Sequence, residues 1–258
     1  MVVVMITYGN GLFVVVGSGK TAYYTEEEGV FTLGSIDGDN WRSITYGNGL
    51  FVAVAMDKTA YSTDGKTFIN GAIGEGIWRS VTYGNGLFVA VAYNGKIAYS
   101  EDGKTFINGT IPPTSWVDVA FGNSVFVAVA DDGNTSYSTD GMSFQDGSQP
   151  NGKWSSITFV NKYYEILKEP IFLMCSSDGK IAYSTDGETF FSLESPMPTE
   201  KWLSIDFMGM GTSIALLGEN NIYQMNIMTG QQPVPSHFLN TGFRVVERIS
   251  PNLVTIYK

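Results

Sequence analysis

The sequence predicts an all-β domain built from repeated antiparallel meanders, and three observations predict it. The stretch WRSITYGNGLFVAVAMDKTAYSTDGKTF, from Trp41 to Phe68, returns almost letter for letter as WRSVTYGNGLFVAVAYNGKIAYSEDGKTF from Trp78 to Phe106. Weaker copies begin at Trp116, Trp154 and Trp202, and a copy without its Trp runs from Ile6 to Phe31. The Trp-to-Trp steps are 37, 38, 38 and 48 residues, a near-fixed period that marks a repeat architecture. Strand-like patterns and turn dipeptides fill each period, and helical periodicity is absent.

Each element of one copy has its own signal. WRSITY alternates as a first strand, and Gly47-Asn48-Gly49 supplies a turn that tolerates positive φ. Leu50 to Ala55 (LFVAVA) is apolar on both strand faces, as a strand covered on both sides must be. Thr59 to Thr63 reads as a third strand, Asp64-Gly65 as a two-residue type I′ hairpin, and Lys66 to Ile69 as the start of a fourth strand. One such sheet cannot bury both its faces. Stacking copies face to face around an axis does, which makes the architecture a β-propeller of four-stranded antiparallel blades. A parallel β-helix is the alternative, but its rungs are shorter and lack three tight antiparallel turns per repeat.

The blades divide at about 1–40, 41–77, 78–115, 116–153, 154–201 and 202–242, with a half-blade at 243–258. Phe243 to Val246 and Leu253 to Tyr257 resemble the first two strands of a seventh unit. Seven blades with an incomplete last one are therefore expected, with a six-bladed ring as the alternative. The copies abut without a linker, so residues 1–258 read as one domain. Glu165 to Pro170 is inserted in blade five and reads as a protruding loop.

Composition excludes several classes of function. Forty-three per cent apolar residues suffice for a core. A net charge of −10 argues against a nucleic-acid or anionic-membrane partner, because phosphate binding needs clustered Lys and Arg. Met1 to Ile6 has neither a basic leader nor a long apolar core, so neither a signal peptide nor membrane insertion is read. Cys175 and His237 are each single of their kind. An intrachain disulfide, a thiolate cluster, a His-based zinc site and a Cys-His dyad are thereby excluded. Cys175 aligns with Val91 of the apolar run and is expected to be buried and inert. No cofactor and no metal is expected.

The stretch Tyr61-Ser62-Thr63-Asp64-Gly65-Lys66-Thr67-Phe68 resembles the Asp-box (BNR-type) repeat, Ser-x-Asp-x-Gly-x-Thr-Trp. It recurs at Ser100 to Phe106, Ser138 to Phe144 and Ser184 to Phe190, and has decayed to Tyr24 to Gly29 in the first copy. The spacer between Asp and Gly is missing here, and Phe replaces the final Trp. The resemblance implies a turn between the third and fourth strands, remote from any active site. Asp64, Asp102, Asp140 and Asp186 are then structural, each carboxylate bonding the backbone of its own turn. The longer pattern, Trp-x-Ser-x-x-Tyr-Gly-Asn-Gly-x-Phe-Val-Ala-Val, is similar to repeats in bacteriophage tail, fibre and other virion proteins. This implies a virion component whose partners are other virion or assembly proteins, or a host cell-surface glycan, with an oligomer as one form. A cytoplasmic location, and a free-standing bacterial or host-interaction protein, are the alternatives.

In propellers, ligands usually meet the loops between second and third strands and between blades, and the copies differ there on a constant scaffold. The candidate ligand-binding residues are Asp57, Tyr93, Asn94, Asp131, Asp132, Asn134 and Asp178. Arg42 and Arg79 open the innermost strands of adjacent blades, where they can hold a carboxylate bidentately or close the rim against acids. Asp37 to Asn40 and Asp131 to Asn134 offer oxygens without an EF-hand spacing and read as solvated turns. No catalytic residue is assigned. The enzymatic alternative is a sialidase-like glycoside hydrolase, because the Asp-box family includes such enzymes. It requires three converging Arg, and this chain has only Arg42, Arg79, Arg244 and Arg248, two of them at equivalent repeat positions.

Overall fold

The computed structural model describes residues 5–38, 40–161, 169–193, 201–207, 213–218, 222–229 and 241–249, with side chains described as far as Asp206 and for Ala215–Gly218. The described strands form six four-stranded sheets in which each strand pairs with its neighbour in sequence. Sheet one comprises Met5–Gly9, Leu12–Gly17, Lys20–Tyr24 and Phe31–Leu33. Sheet three comprises Trp78–Gly84, Leu87–Ala92, Lys96–Ser100 and Ile107–Asn108. Sheets two, four and five repeat the pattern from Ser43, Trp116 and Trp154. The chain is all-β, and these sheets are propeller blades.

The contacts group into two compact units. One holds Met1–Ala128 with Ser136–Asp146, and the other holds Val129–Thr135 with Gly147–Lys258. In the first unit, the first strands of sheets one to four lie side by side. In the second, those of sheet five and of sheet six, which opens with Trp202–Phe207, do.

All six residues of LFVAVA are buried in sheets two and three. The two faces of the strand enter different cores. Phe51, Ala53 and Ala55 pack with Leu12, Val14 and Val16 of sheet one, while Val52 and Val54 pack with Trp78 and Phe88 of sheet three. Each large apolar side chain buried this way contributes roughly 1.5–3 kcal/mol. Cys175 occupies the Val91 position and is fully buried.

The local turn chemistry differs from the sequence expectation. The type I′ geometry falls at Asn48-Gly49, where φ is 48° and 77°, and not at Asp64-Gly65. Only Gly65 of that pair has positive φ. The fourth strand of sheet two is the two-residue Ile69–Asn70 and does not begin at Lys66. The physical reason is that the backbone of Lys66 to Phe68 is already used. Ser35 N donates to Lys66 O at 2.8 Å, and Phe68 N donates to Ser35 O at 2.8 Å. This makes a parallel bridge, Ser35 to Thr67, between the end of one blade and the turn of the next. It recurs as Ala72–Thr105, Thr110–Ser143 and Ser148–Thr189.

The expected half-blade is also corrected. Thr241–Ile249 is the fourth strand of sheet six, paired antiparallel with Ile222–Thr229. Phe243 to Val246 therefore closes that sheet and opens no seventh one. An eight-residue third strand leaves a long row of backbone donors and acceptors, and a nine-residue strand satisfies it. Leu253 to Tyr257, and residues 165–168 of the expected blade-five loop, lie outside the described residues.

Candidate functional site

The loops between second and third strands sit where each first strand begins, because Trp78 pairs with Ala92 at that end of the sheet. The indole there is anchored. Trp78 Nε1 donates to Gly74 O at 2.9 Å, and Trp116 Nε1 donates to Pro112 O at 3.0 Å.

Several candidate residues bind their own scaffold. Asp57 Oδ1 accepts from Gly76 N at 2.6 Å, and Asn94 Oδ1 accepts from Ile77 N at 3.1 Å. Lys96 Nζ donates to Glu75 O at 2.7 Å. Residues 75–77 are thus gripped from sheet two on one side and sheet three on the other. The second unit repeats half of this clamp. Asp178 Oδ1 accepts from Lys153 N at 3.0 Å, Lys180 Nζ donates to Asn151 O at 2.6 Å, and the two side chains form an ion pair at 3.0 Å. Burial raises the Asp178 carboxyl pKa, but the Lys153 amide, Ser176 and Lys180 outweigh it and bring it down to about 2. Asp178→Ala is expected to remove roughly 1 kcal/mol and to speed hydrogen exchange of the Lys153 amide about fivefold, as NMR would read it.

Of the other candidates, Arg79 and Tyr93 come together, the guanidinium lying 4.9 Å from the ring centroid. Arg42 occupies the equivalent place in sheet two, half-buried, with its own N–H donating to Val54 O. Asp131, Asp132 and Asn134 lie on one connection in the second unit, where Asn134 N donates to Asp132 Oδ1 at 3.2 Å. Asp37 Oδ2 accepts from Asn70 Nδ2 at 3.3 Å, and Asp39 lies outside the described residues, as do the side chains of Arg244 and Arg248. Among the described residues no group of three His, Cys, Asp or Glu is placed to hold a metal, and no helix is long and apolar enough to cross a membrane.

Each aspartate of the Ser-x-Asp-Gly turns bonds within its turn. Asp102 Oδ1 accepts from Ser100 Oγ at 2.9 Å, Lys104 N at 2.8 Å and Thr105 N at 2.9 Å. Asp64, Asp140 and Asp186 repeat the set. One inner-strand acid was missed. Asp118 Oδ1 accepts from Ser80 Oγ at 2.7 Å and Val119 N at 2.9 Å. Its signal was legible, since it replaces the Ser of the Trp-x-Ser pattern.

No protein-family model and no curated protein sequence matches the chain. Solved structures do. Virginiamycin B lyase from Staphylococcus aureus is similar with a TM-score of 0.76 at 13% identity, over 97% of this chain and 84% of that one. A streptogramin B lyase gives 0.71 at 15% identity, over 85% and 77%. YCF48 from Cyanidioschyzon merolae gives 0.65 at 12% identity, over 95% and 85%. At such identities the likeness is one of fold, and it places this chain among the β-propellers.

Proposed function

We propose that the chain is a non-catalytic binding module, a phage tail- or fibre-type virion component that takes a host surface glycan or a neighbouring virion protein at its loop end. The observation that carries this reading is Arg79 laid over Tyr93 on a rim whose loops are clamped to the scaffold. A guanidinium stacked on a ring is pre-oriented for a carboxylate or a sugar hydroxyl, and the clamped loops reduce the ordering cost of binding. The Asp-box-like turns and the phage-like repeat pattern support the same reading.

An enzymatic reading draws on the lyase neighbours, one of which is a histidine-to-alanine form described as catalytically inactive and bound to quinupristin. The only histidine here, His237, lies outside the described residues. A glycan array, a binding assay against isolated tail and fibre proteins, and incubation with quinupristin separate the readings. Binding without turnover is expected, and Tyr93→Ala and Arg79→Ala should each weaken it at least tenfold, a loss of about 1.4 kcal/mol. Conversion of quinupristin, or no binding to either class of partner, would overturn the reading.

A further inference from the structure

The connection from sheet two to sheet three meets both sheets through one peptide unit. The Gly76 carbonyl accepts from Asp57 N at 2.9 Å, and the amide of the same peptide, Ile77 N, donates to Asn94 Oδ1 at 3.1 Å. On either side the contact is doubled. Gly76 N donates to Asp57 Oδ1 at 2.6 Å, and Tyr93 N donates to Ile77 O at 2.9 Å. A peptide unit is planar and rigid, so any tilt of the Gly76–Ile77 plane is felt by both sheets at once. The series of bonds runs from Asp57 to Tyr93, and every residue in it belongs to the first compact unit.

The Asp57 carboxylate is not easily replaced in this series. Gly76 is buried, so without that acceptor its N–H cannot turn to water while the loop stays in place. Nor can it sink toward the sheet. A Cβ on Gly76 would lie 2.8 Å from the Trp78 ring, and that indole is itself fixed by its bond to Gly74 O at 2.9 Å. The movement left open is a rotation of the Gly76–Ile77 peptide, which carries Ile77 O and the Tyr93 backbone with it.

Asp57 serves this peptide and not its own turn. Its φ is 56°, and Gly19, at the equivalent place in sheet one, holds 65° without a side chain. Glycine enters the left-handed region freely, whereas a residue with a Cβ is disfavoured there. The turn alone would therefore be better made with glycine. What the carboxylate adds is its bond to Gly76 N, 19 residues away.

The series ends at Tyr93, whose ring centroid lies 4.9 Å from the Arg79 guanidinium. The direction of that ring follows the backbone that Ile77 and Asn94 hold. We propose that Asp57 is a positioning residue for the Arg79–Tyr93 site, acting from the neighbouring blade through the Gly76–Ile77 peptide. This rests on the reading of that site given above, but the placement of the ring is measured without any ligand.

The test follows the ring-current shift of the Arg79 side-chain protons by NMR in the full chain, with Tyr93→Leu defining its zero. Asp57→Ala should reduce that shift by about half, as the ring spends time away from the guanidinium. Asp57→Asn keeps an acceptor at Oδ1 and should restore most of it. Asp57→Gly removes the carboxylate while easing the positive φ, and serves should Asp57→Ala not fold. Asp102→Ala, in the turn at the other end of sheet three, loosens the same blade outside this series and should leave the shift unchanged. An unchanged shift in Asp57→Ala and Asp57→Gly would overturn the proposal. So would a loss in Asp102→Ala as large as that in Asp57→Ala, which would mark a general loosening of the fold. If the shifts behave as stated while the parent chain binds none of the glycans or tail and fibre proteins, the positioning stands and the binding reading falls.

Discussion

Replacing Gly84 by alanine is expected to destabilise the chain by about 3 kcal/mol, the upper end of the cost of overpacking a core. For a chain of this size that corresponds to a fall of about 6–12 °C in thermal midpoint. The Phe121 ring of the next blade lies directly on Gly84, where any Cβ would collide with it. The ring cannot retreat, because it also packs on Phe126 with centroids 4.6 Å apart. Differential scanning calorimetry reads the loss. Gly74→Ala is the control, since a Cβ there meets only Asn108 at an ordinary 3.5 Å, and it should change little. If the cost arises at the ring, Gly84→Ala combined with Phe121→Ala must cost less than the sum of the two single changes. Additive losses would place the strain elsewhere.

Asp102→Ala is expected to cost about 2 kcal/mol in urea unfolding, with an unchanged m-value. Three donors, Ser100 Oγ, Lys104 N and Thr105 N, converge on one carboxylate oxygen. The figure is held below three full charged hydrogen bonds because water can replace part of them at this exposed turn. Asp102→Asn keeps the acceptor and should recover about half, so the pair of variants separates geometry from charge. A loss under roughly 0.5 kcal/mol for the alanine variant would show the turn to be held by packing alone.

The same bonds predict the acid limb of stability. The amide of Thr105 holds the Asp102 carboxyl below its ordinary value, and that of Thr67 does the same for Asp64. Burial pushes Asp140 and Asp186 upward, but the amides of their own turns outweigh it and leave both lowered. A depressed folded pKa contributes stability that is fully present above the unfolded value of about 3.9 and is lost as pH falls through the folded one. Stability should therefore be flat above about pH 5 and decline below pH 4. Asp102→Asn should make that decline shallower.

Much of the fold was legible in the sequence for a definite physical reason. A repeat states the same local instruction several times, so LFVAVA, buried on both faces, had to lie between two sheets whatever the global arrangement. Trp, Tyr-Gly-Asn-Gly and Ser-x-Asp-Gly likewise specify turns through contacts within a few residues of themselves. What the sequence could not determine was which neighbour would take each backbone group. Asp64-Gly65 reads as a tight hairpin in isolation, yet the bridge from Ser35 draws Lys66 to Phe68 out of the blade's own ladder. Phe243 to Val246 has the composition of any first strand, and only its pairing with Ile222–Thr229 makes it the outer strand of sheet six.

The candidate site divides along the same line. That Asp57, Asn94 and Asp178 stand on variable loops was legible, because loop positions follow from the strand pattern. That their side chains grip the amides of Gly76, Ile77 and Lys153 was decided by tertiary structure, because those partners lie 17 to 25 residues away. The aromatic face of sheet one shows the division most plainly. Its residues are ordinary strand formers when read along the chain, and only the register gathers Tyr8, Phe13, Tyr24 and Phe31 into one row. Local periodicity fixed which residues form strands, and long-range pairing fixed which of them share a face.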